Sequence, residues 1–257
     1  MNSSNLQQNV RRFSRKAVLY DQFRPRYPME LLAFLGAYIT PGSEQTVADI
    51  AAGTGIFTEQ IAQWGNTVFV VEPNRSMGKL AQTRLKKYKN CVFVNGTAEF
   101  TGLRGDSVDL VVSAQAFHWF DLDKAKAEFR RIGRKNLLVA VVWNLRNTES
   151  VFEQAYEALL RQFGIDYLNV SQRRMETEEV LSFFAPASPE YHIFEHADPL
   201  TFTQLQGRIR SYSFMPDESA ADYNEMLEAI AGLFNRYQQE GKVRLSYKTR
   251  LFIGGIR

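Results

Sequence analysis

Thr46-Val-Ala-Asp-Ile-Ala-Ala-Gly-Thr-Gly55 is the stretch on which the fold turns. Its first five residues form a short apolar run with a single acid, Asp49. A run of that length, closed by glycines, reads as a buried strand. Gly53 and Gly55 let the backbone turn tightly and approach a ligand without a Cβ in the way. A helix follows, with Phe57, Ile61 and Trp64 on one face.

The same alternation continues downstream. Thr67–Val71, Cys91–Val94, Val108–Val112 and Leu137–Val142 are further apolar runs. Between them Met77, Leu80, Ala81 and Leu85 recur at helical spacing. So do Leu122, Ala125, Phe129 and Ile132, with Asp121 as N-cap. Continuously apolar strands alternating with helices imply a parallel sheet covered on both faces. Upstream, the two prolines of Arg24-Pro-Arg-Tyr-Pro28 force extended backbone between two helices. Residues 150–163, 173–184, 203–213 and 219–239 read as helices, and Tyr191–His196 as a strand. Val243, Leu245, Tyr247, Thr249, Leu251 and Ile253 alternate with polar residues. That period of two marks a final strand with one wetter face, antiparallel to the Tyr191 strand.

The 257 residues suit one elaborated domain or two. With 45% hydrophobic and 23% charged residues, the chain is not disordered, collagenous or a coiled coil. No apolar run is long enough for a membrane-spanning helix. The opening Met1-Asn-Ser-Ser-Asn5 lacks an apolar signal core, so a cytoplasmic location is expected. One cysteine, Cys91, precludes an internal disulfide or a multi-cysteine metal site. His192 and His196 are too few to hold a metal, and none is expected. The net charge of +3 does not argue for nucleic acid. The basic clusters Arg11, Arg12, Arg15, Lys16 and Arg84, Lys86, Lys87, Lys89 read as solvated helix faces.

The glycine loop lies where doubly wound sheets bind nucleotide-like ligands, at the carboxyl end of the first strand. Glu72 ends the second strand about 20 residues beyond Asp49, where a carboxylate can accept both ribose hydroxyls. An adenosine-containing ligand follows, in two versions. A nicotinamide dinucleotide needs G-x-G-x-x-G for its pyrophosphate, but Ala51 and Thr58 occupy the outer glycine positions. S-adenosylmethionine carries no phosphate, and its ammonium suits Asp49. A tight turn without a ligand is the third reading, weakened by Glu72.

Four motifs occur in order: Asp49-Ile-Ala-Ala-Gly-Thr-Gly55, Val71-Glu-Pro-Asn74 with Met77, Gly96-Thr-Ala-Glu99, and Val108 to Asp121. Together they resemble the class I S-adenosylmethionine-dependent methyltransferases. The similarity is closest to the small-molecule branch that includes trans-aconitate methyltransferase-like proteins. Phe13-Ser-x-x-Ala17, Tyr20 and Arg24-Pro-x-Tyr-Pro28 also look like that branch, so the resemblance spans essentially the whole chain. It implies an α/β fold with a Rossmann-like seven-stranded methyltransferase sheet, the last strand antiparallel. Residues 1–257 would form a single domain. Its core would be about 41–148, 186–200 and 241–257, under a helical cover from about 1–40, 149–185 and 201–240.

The resemblance also implies roles. Gly53, Gly55 and Ala51 would pass under the methionine part of S-adenosylmethionine, and Asp49 would hold its ammonium. Glu72 would bind the ribose, Pro73 and Met77 would line the adenine, and Ala98 with Glu99 would meet its edge. Ser113, Gln115 and Ala116 would lie along the methionine and sulfonium. The family usually has glycine at Ala51, so its methyl should narrow the pocket. The expected activity is methyl transfer by in-line displacement to a small organic acceptor, with a carboxylate as one candidate, leaving S-adenosylhomocysteine. His118 would touch the substrate or act as base; alternatively it packs on Trp119. Phe117, Trp119 and Trp143 would wall the substrate. Tyr20, Arg24 and Tyr27 would cover it, with Arg146, Arg208 and Tyr212 at the mouth. An arginine there can fork onto a carboxylate.

Nucleic acid is disfavoured as acceptor: Ser113-Ala-Gln-Ala116 replaces the Asn/Asp-Pro-Pro-aromatic stretch of adenine-amino methyltransferases. Stable membrane association is not expected. The rival functions are a silent S-adenosylmethionine-binding protein and an NAD(P)-dependent oxidoreductase. The missing third glycine and the antiparallel last strand argue against the oxidoreductase.

Overall fold

The computed structural model describes residues 16–165, 167 and 177–256. Arg11, Arg12, Phe13, Arg15 and the start of the helix expected over 173–184 lie outside the described residues. Seven strands form one sheet: β1 (Thr46–Ile50), β2 (Thr67–Val71), β3 (Cys91–Val94), β4 (Val108–Ala114), β5 (Gly133–Arg146), β6 (Glu190–Leu200) and β7 (Val243–Gly255). Their order is β3-β2-β1-β4-β5-β7-β6. The first five strands are parallel. The last, β7, is inserted antiparallel between β5 and β6. This is the Rossmann-like architecture expected above.

Helices flank the sheet: α1 (residues 16–23), α2 (Met29–Gly36), α3 (Ile56–Ile61), α4 (Arg75–Leu85), α5 (Leu122–Ile132), α6 (Val151–Phe163), α7 (Thr177–Phe184), α8 (Phe202–Arg210) and α9 (Tyr223–Tyr237). The period of two along β5 splits its apolar residues between the two faces. Leu137, Val139, Val141 and Trp143 pack toward α5 and α7. Ala140 and Val142 pack toward α2, α3 and α4. A third cluster joins α6, α8 and α9 to Val243, Leu245 and Tyr247 of β7, and forms the cover.

Two helices assigned to the cover by sequence lie on the sheet instead. In α2, Leu31, Leu32 and Leu35 pack with Val47 and Val68. In α7, Val180, Phe183 and Phe184 meet Phe129 and Phe252. Helical spacing reveals an apolar stripe but not the surface that receives it. Arg84 is a second correction. It is not on a solvated face but pairs with Asp21 at 2.7 Å and Glu59 at 2.9 Å, tying α1 and α3 to α4.

β5 runs past its expected end at Val142 because β7 pairs with it as far as Arg146↔Tyr247. That extension carries Trp143 and Arg146 to the carboxyl edge of the sheet, where the cleft lies.

Candidate active site

The strand order reverses between β1 and β4, and the loops after these two strands open a crevice between them. Both loops hold a non-glycine residue in the left-handed region: Ala51 at φ 58° and Gln115 at φ 64°. Each such residue costs roughly 1–2 kcal/mol, and strain of this kind gathers at functional loops. The two glycines differ in surroundings. Gly53, at φ 61°, borders the cleft, and a Cβ there would find only Met77 Sδ, at 4.0 Å. Gly55, at φ 78°, faces away from it; a Cβ would lie 3.0 Å from Leu85 Cδ1 and 3.3 Å from Ala81 Cβ. Sequence placed both glycines under the ligand; the structure gives Gly55 to the α3–α4 packing.

Asp49 lies buried at the floor of the cleft, accepting a hydrogen bond from Thr58 Oγ1 at 2.6 Å. Burial pushes its carboxyl up to about 7; the Thr58 hydrogen bond opposes this and the charge of Glu72 adds to it. Thr58, the residue that spoils the dinucleotide glycine pattern, is thus the one that holds Asp49. Glu72 accepts from the Gly53 N–H at 2.8 Å and the Asn74 N–H at 2.7 Å. Its carboxylate pins the glycine loop to the end of β2 and borders a neighbouring groove with Gly78 and Asn95. Burial raises its pKa, against these two backbone hydrogen bonds.

Met77 is buried beside Gly53, and Pro73 is exposed at the start of α4. Ala98 is buried in the α5-side core, and Glu99 accepts from the Asp121 N–H at 2.9 Å. Gln115 borders the cleft and donates to the Asn144 carbonyl at 3.2 Å; Ala116 starts the 3₁₀ turn Phe117–Trp119. Two buried hydroxyls on the loop after β1 and near the end of β4 have no hydrogen-bond partner among the described residues: Thr54 Oγ1 and Ser113 Oγ. Buried polar atoms left unpaired cost about 1–3 kcal/mol, which a ligand can recover.

The opposite wall comes from distant segments. His118 lies between Trp119, ring centroids 4.3 Å apart, and Trp143, 4.8 Å edge-on, and all three border the cleft. Tyr20, Arg24 and Tyr27 border it from the N-terminal segment. Arg24 stacks on Tyr212 at 4.3 Å and on Tyr20 at 4.8 Å. The single hydrogen bond of its guanidinium among the described residues is a 3.4 Å contact with the Ser211 carbonyl, and its buried Nε has no partner there. Arg146 pairs with Glu157 at 3.1 Å and donates to Tyr167 Oη at 3.2 Å. Burial pushes the Tyr212 phenol up, but Arg146, Arg24, a hydrogen bond from Tyr156 and Arg208 outweigh it and hold the group below its usual value.

Two expected substrate residues are elsewhere. Phe117 is buried in the sheet core, edge-on to Phe183 at 5.0 Å, because the three-residue period of the 3₁₀ turn puts Phe117 and Phe120 on the core side and His118 and Trp119 on the cleft side. Arg208 is buried behind the wall, bonded to the Phe23 carbonyl, Tyr247 Oη and Asp198. Tyr156, Tyr167, Tyr247 and Thr58 were not singled out from sequence. For Tyr247 a signal existed, since the period of two along β7 puts it on the inward face.

Residues 48–141 match the family model of a methyltransferase domain. The chain carries a methyltransferase domain. An uncharacterised methyltransferase-like protein of Schizosaccharomyces pombe is 27% identical to this methyltransferase over 249 residues, 95% of each chain. An uncharacterised methyltransferase of Mycobacterium tuberculosis is 35% identical over 128 residues, 50% of each chain. The fold is shared with a protein provisionally described as a type II methyltransferase from Anaeromyxobacter dehalogenans. There the TM-score is 0.61 at 22% identity, over 90% of this chain and 97% of that one. It is also shared with a Haemonchus contortus phosphoethanolamine N-methyltransferase 2 solved with S-adenosylhomocysteine. The TM-score is 0.54 at 16% identity, over 97% of this chain and 57% of that one. Among the described residues of this methyltransferase, no helix is long and apolar enough to cross a membrane.

Proposed function

We propose that this methyltransferase acts on a small organic acid whose carboxylate is held by Arg24. The observation that carries the reading is the Arg24 guanidinium. It borders the cleft with a buried, unpartnered Nε and no ion pair among the described residues. A half-buried cation with a buried Nε favours a counter-charge, and a guanidinium fork matches a carboxylate. Trp119, Trp143 and His118 supply an apolar wall that excludes water from the rest of the molecule.

The residues present fit the cofactor. Gly53 leaves a space that a Cβ would fill, and Thr54 Oγ1 of the same loop and Ser113 Oγ near the end of β4 lack a hydrogen-bond partner among the described residues. In this reading Asp49 holds the ammonium, Glu72 the ribose, and Met77, Pro73, Ala98 and Glu99 surround the adenine. Ala51, Gln115 and Ala116 flank the methionine part. Bound there, S-adenosylmethionine supplies an activated methyl group. The chain then has to hold the acceptor in line with it, at about 3–3.5 Å.

Asp49 gives this reading a pH signature. An ammonium favours the ionised carboxylate, so below about pH 7 binding must first expel a proton. Calorimetry should show S-adenosylhomocysteine affinity flat at alkaline pH and falling toward about tenfold per unit below neutrality. Adenosine, which lacks the ammonium, should show no such slope, and Asp49→Asn should flatten it. A slope shared by adenosine would detach Asp49 from the ammonium.

The acceptor class is tested by S-adenosylhomocysteine release with a panel of small acids and their amides. Acids should turn over and amides should not. Arg24→Met should raise KM for an acid by about 10–100-fold, the worth of a charge-assisted hydrogen bond, with cofactor affinity unchanged. Equal turnover of acid and amide would end the proposal.

A further inference from the structure

The cleft wall contains a tyrosine that stacks on Phe214, meets two guanidiniums and accepts a hydrogen bond at its oxygen. Tyr212 is buried, with Arg24 4.3 Å and Arg146 5.1 Å from its ring centre. Tyr156, from α6, donates a hydrogen bond to its oxygen at 3.2 Å. Lys16, from α1, donates to its carbonyl at 2.9 Å. Arg208, from α8, lies close enough for its charge to act on the phenol, and is itself bonded to Tyr247 of β7. The carboxylates nearby are already engaged: Glu157 with Arg146 at 3.1 Å, and Asp198 with Arg208 at 2.9 Å. Lys16 feels the charge of Asp217. Among the described residues, Arg146 and Arg208 are paired with these carboxylates and Arg24 has no ion pair.

We propose that Tyr212 is the proton acceptor of the reaction, and that the methylated atom is a phenol- or enol-type hydroxyl of the acid bound at Arg24. This rests on the organic-acid reading and narrows it. A carboxylate paired with a guanidinium has its negative charge neutralised, which lowers its nucleophilicity and leaves it as a handle. A second group is then the nucleophile. An acidic hydroxyl matches a tyrosine oxygen in basicity, the condition for efficient general-base catalysis. The flat faces of Trp119, Trp143 and His118 suit the ring that such a hydroxyl sits on. In the step, the acceptor O–H proton passes to the Tyr212 phenolate. The acceptor oxygen uses the freed pair to take the methyl, and the pair of the former S–C bond stays on sulfur. Phenolate and sulfonium become phenol and thioether, so charge balances.

The test begins without turnover. The full chain, carrying tyrosine labelled with ¹³C at Cζ, is titrated by NMR with S-adenosylhomocysteine present. One tyrosine should ionise below the usual value of about 10. Its signal should be absent from Tyr212→Phe and should shift upward in Tyr156→Phe, which loses the donated hydrogen bond. If every tyrosine ionises at or above that value, the proposal is overturned, whatever the substrate.

The second arm uses 4-hydroxybenzoate and benzoate as probe acceptors. Ether formation on 4-hydroxybenzoate, with kcat falling about 10²-fold in Tyr212→Phe, supports the assignment. The alkaline-rising limb of the pH–rate profile should move with Tyr156→Phe and not with His118→Ala. Methyl ester formation, or an undiminished Tyr212→Phe, overturns it while leaving the organic-acid reading intact. Failure of every acid in the panel counts against that reading, and the titration then decides Tyr212.

Discussion

Replacing Glu72 with alanine should weaken S-adenosylhomocysteine binding by about 10–150-fold and destabilise the free protein at the same time. The affinity loss corresponds to roughly 1.5–3 kcal/mol, the range for hydrogen bonds to a charged group. The stability loss has a separate origin. The Glu72 carboxylate accepts the Gly53 and Asn74 N–H groups, at 2.8 and 2.7 Å. Alanine strands both donors, at about 1–3 kcal/mol for each one that water cannot reach. Glu72→Gln separates the effects, because its single amide oxygen can satisfy one donor. It should recover part of the thermal stability while affinity stays low. Calorimetry and thermal unfolding of the three proteins check this. Wild-type affinity in the alanine variant would mean that the ribose lies elsewhere.

Gly55→Ala should cost about 2–5 kcal/mol of stability, and Ala51→Gly should cost nothing or stabilise. Both positions are left-handed, at φ 78° and 58°. At Gly55 a Cβ brings the left-handed penalty of about 1–2 kcal/mol. It also collides with Leu85 and Ala81 of α4, at 3.0 and 3.3 Å, and overpacking adds about 1–3 kcal/mol. At Ala51 the penalty is already present, and glycine removes it. The gain is offset by the roughly 0.4–1 kcal/mol of extra unfolded-state freedom that glycine carries. Urea unfolding with an unchanged m-value reads both. A destabilised Ala51→Gly would show that the Ala51 methyl makes contacts worth more than its strain.

The glycine loop, its two flanking elements and the acid at the end of β2 were legible because each is encoded locally. A buried parallel strand is a continuous apolar run. A left-handed turn selects glycine, and an α-helix repeats its apolar residues every three or four positions. The same logic missed Thr58, since nothing in a helix's first turn announces that its hydroxyl will reach back to Asp49. It also misassigned α2 and α7. Their stripes fit a cover as well as a sheet face, and only the packing of Leu31 or Phe183 distinguishes them.

The acceptor side of the cleft was the least legible. Arg24, Arg146 and Arg208 are equivalent in sequence: each is an arginine near an aromatic residue at the margin of a helix or strand. Folding gives them different fates. Arg208 is tied to Asp198, Tyr247 and the Phe23 carbonyl behind the wall. Arg146 is balanced by Glu157. Arg24 reaches the cleft with no ion pair among the described residues.

What the amino-acid order settled without help is the strand–loop–helix proposed to hold the cofactor, because the apolar run, the glycines and the helical repeat that encode it are read between near neighbours in the chain. Which charges meet across the cleft was decided by the tertiary structure. β7 must pair with β5 to carry Arg146 to the edge, and α1 must lie against the segment after α8 to bring Lys16 and Arg24 onto Tyr212. A charge has no intrinsic partner. Its counter-ion, and hence its chemistry, is set by whichever distant segment the packing brings within a few ångströms of it.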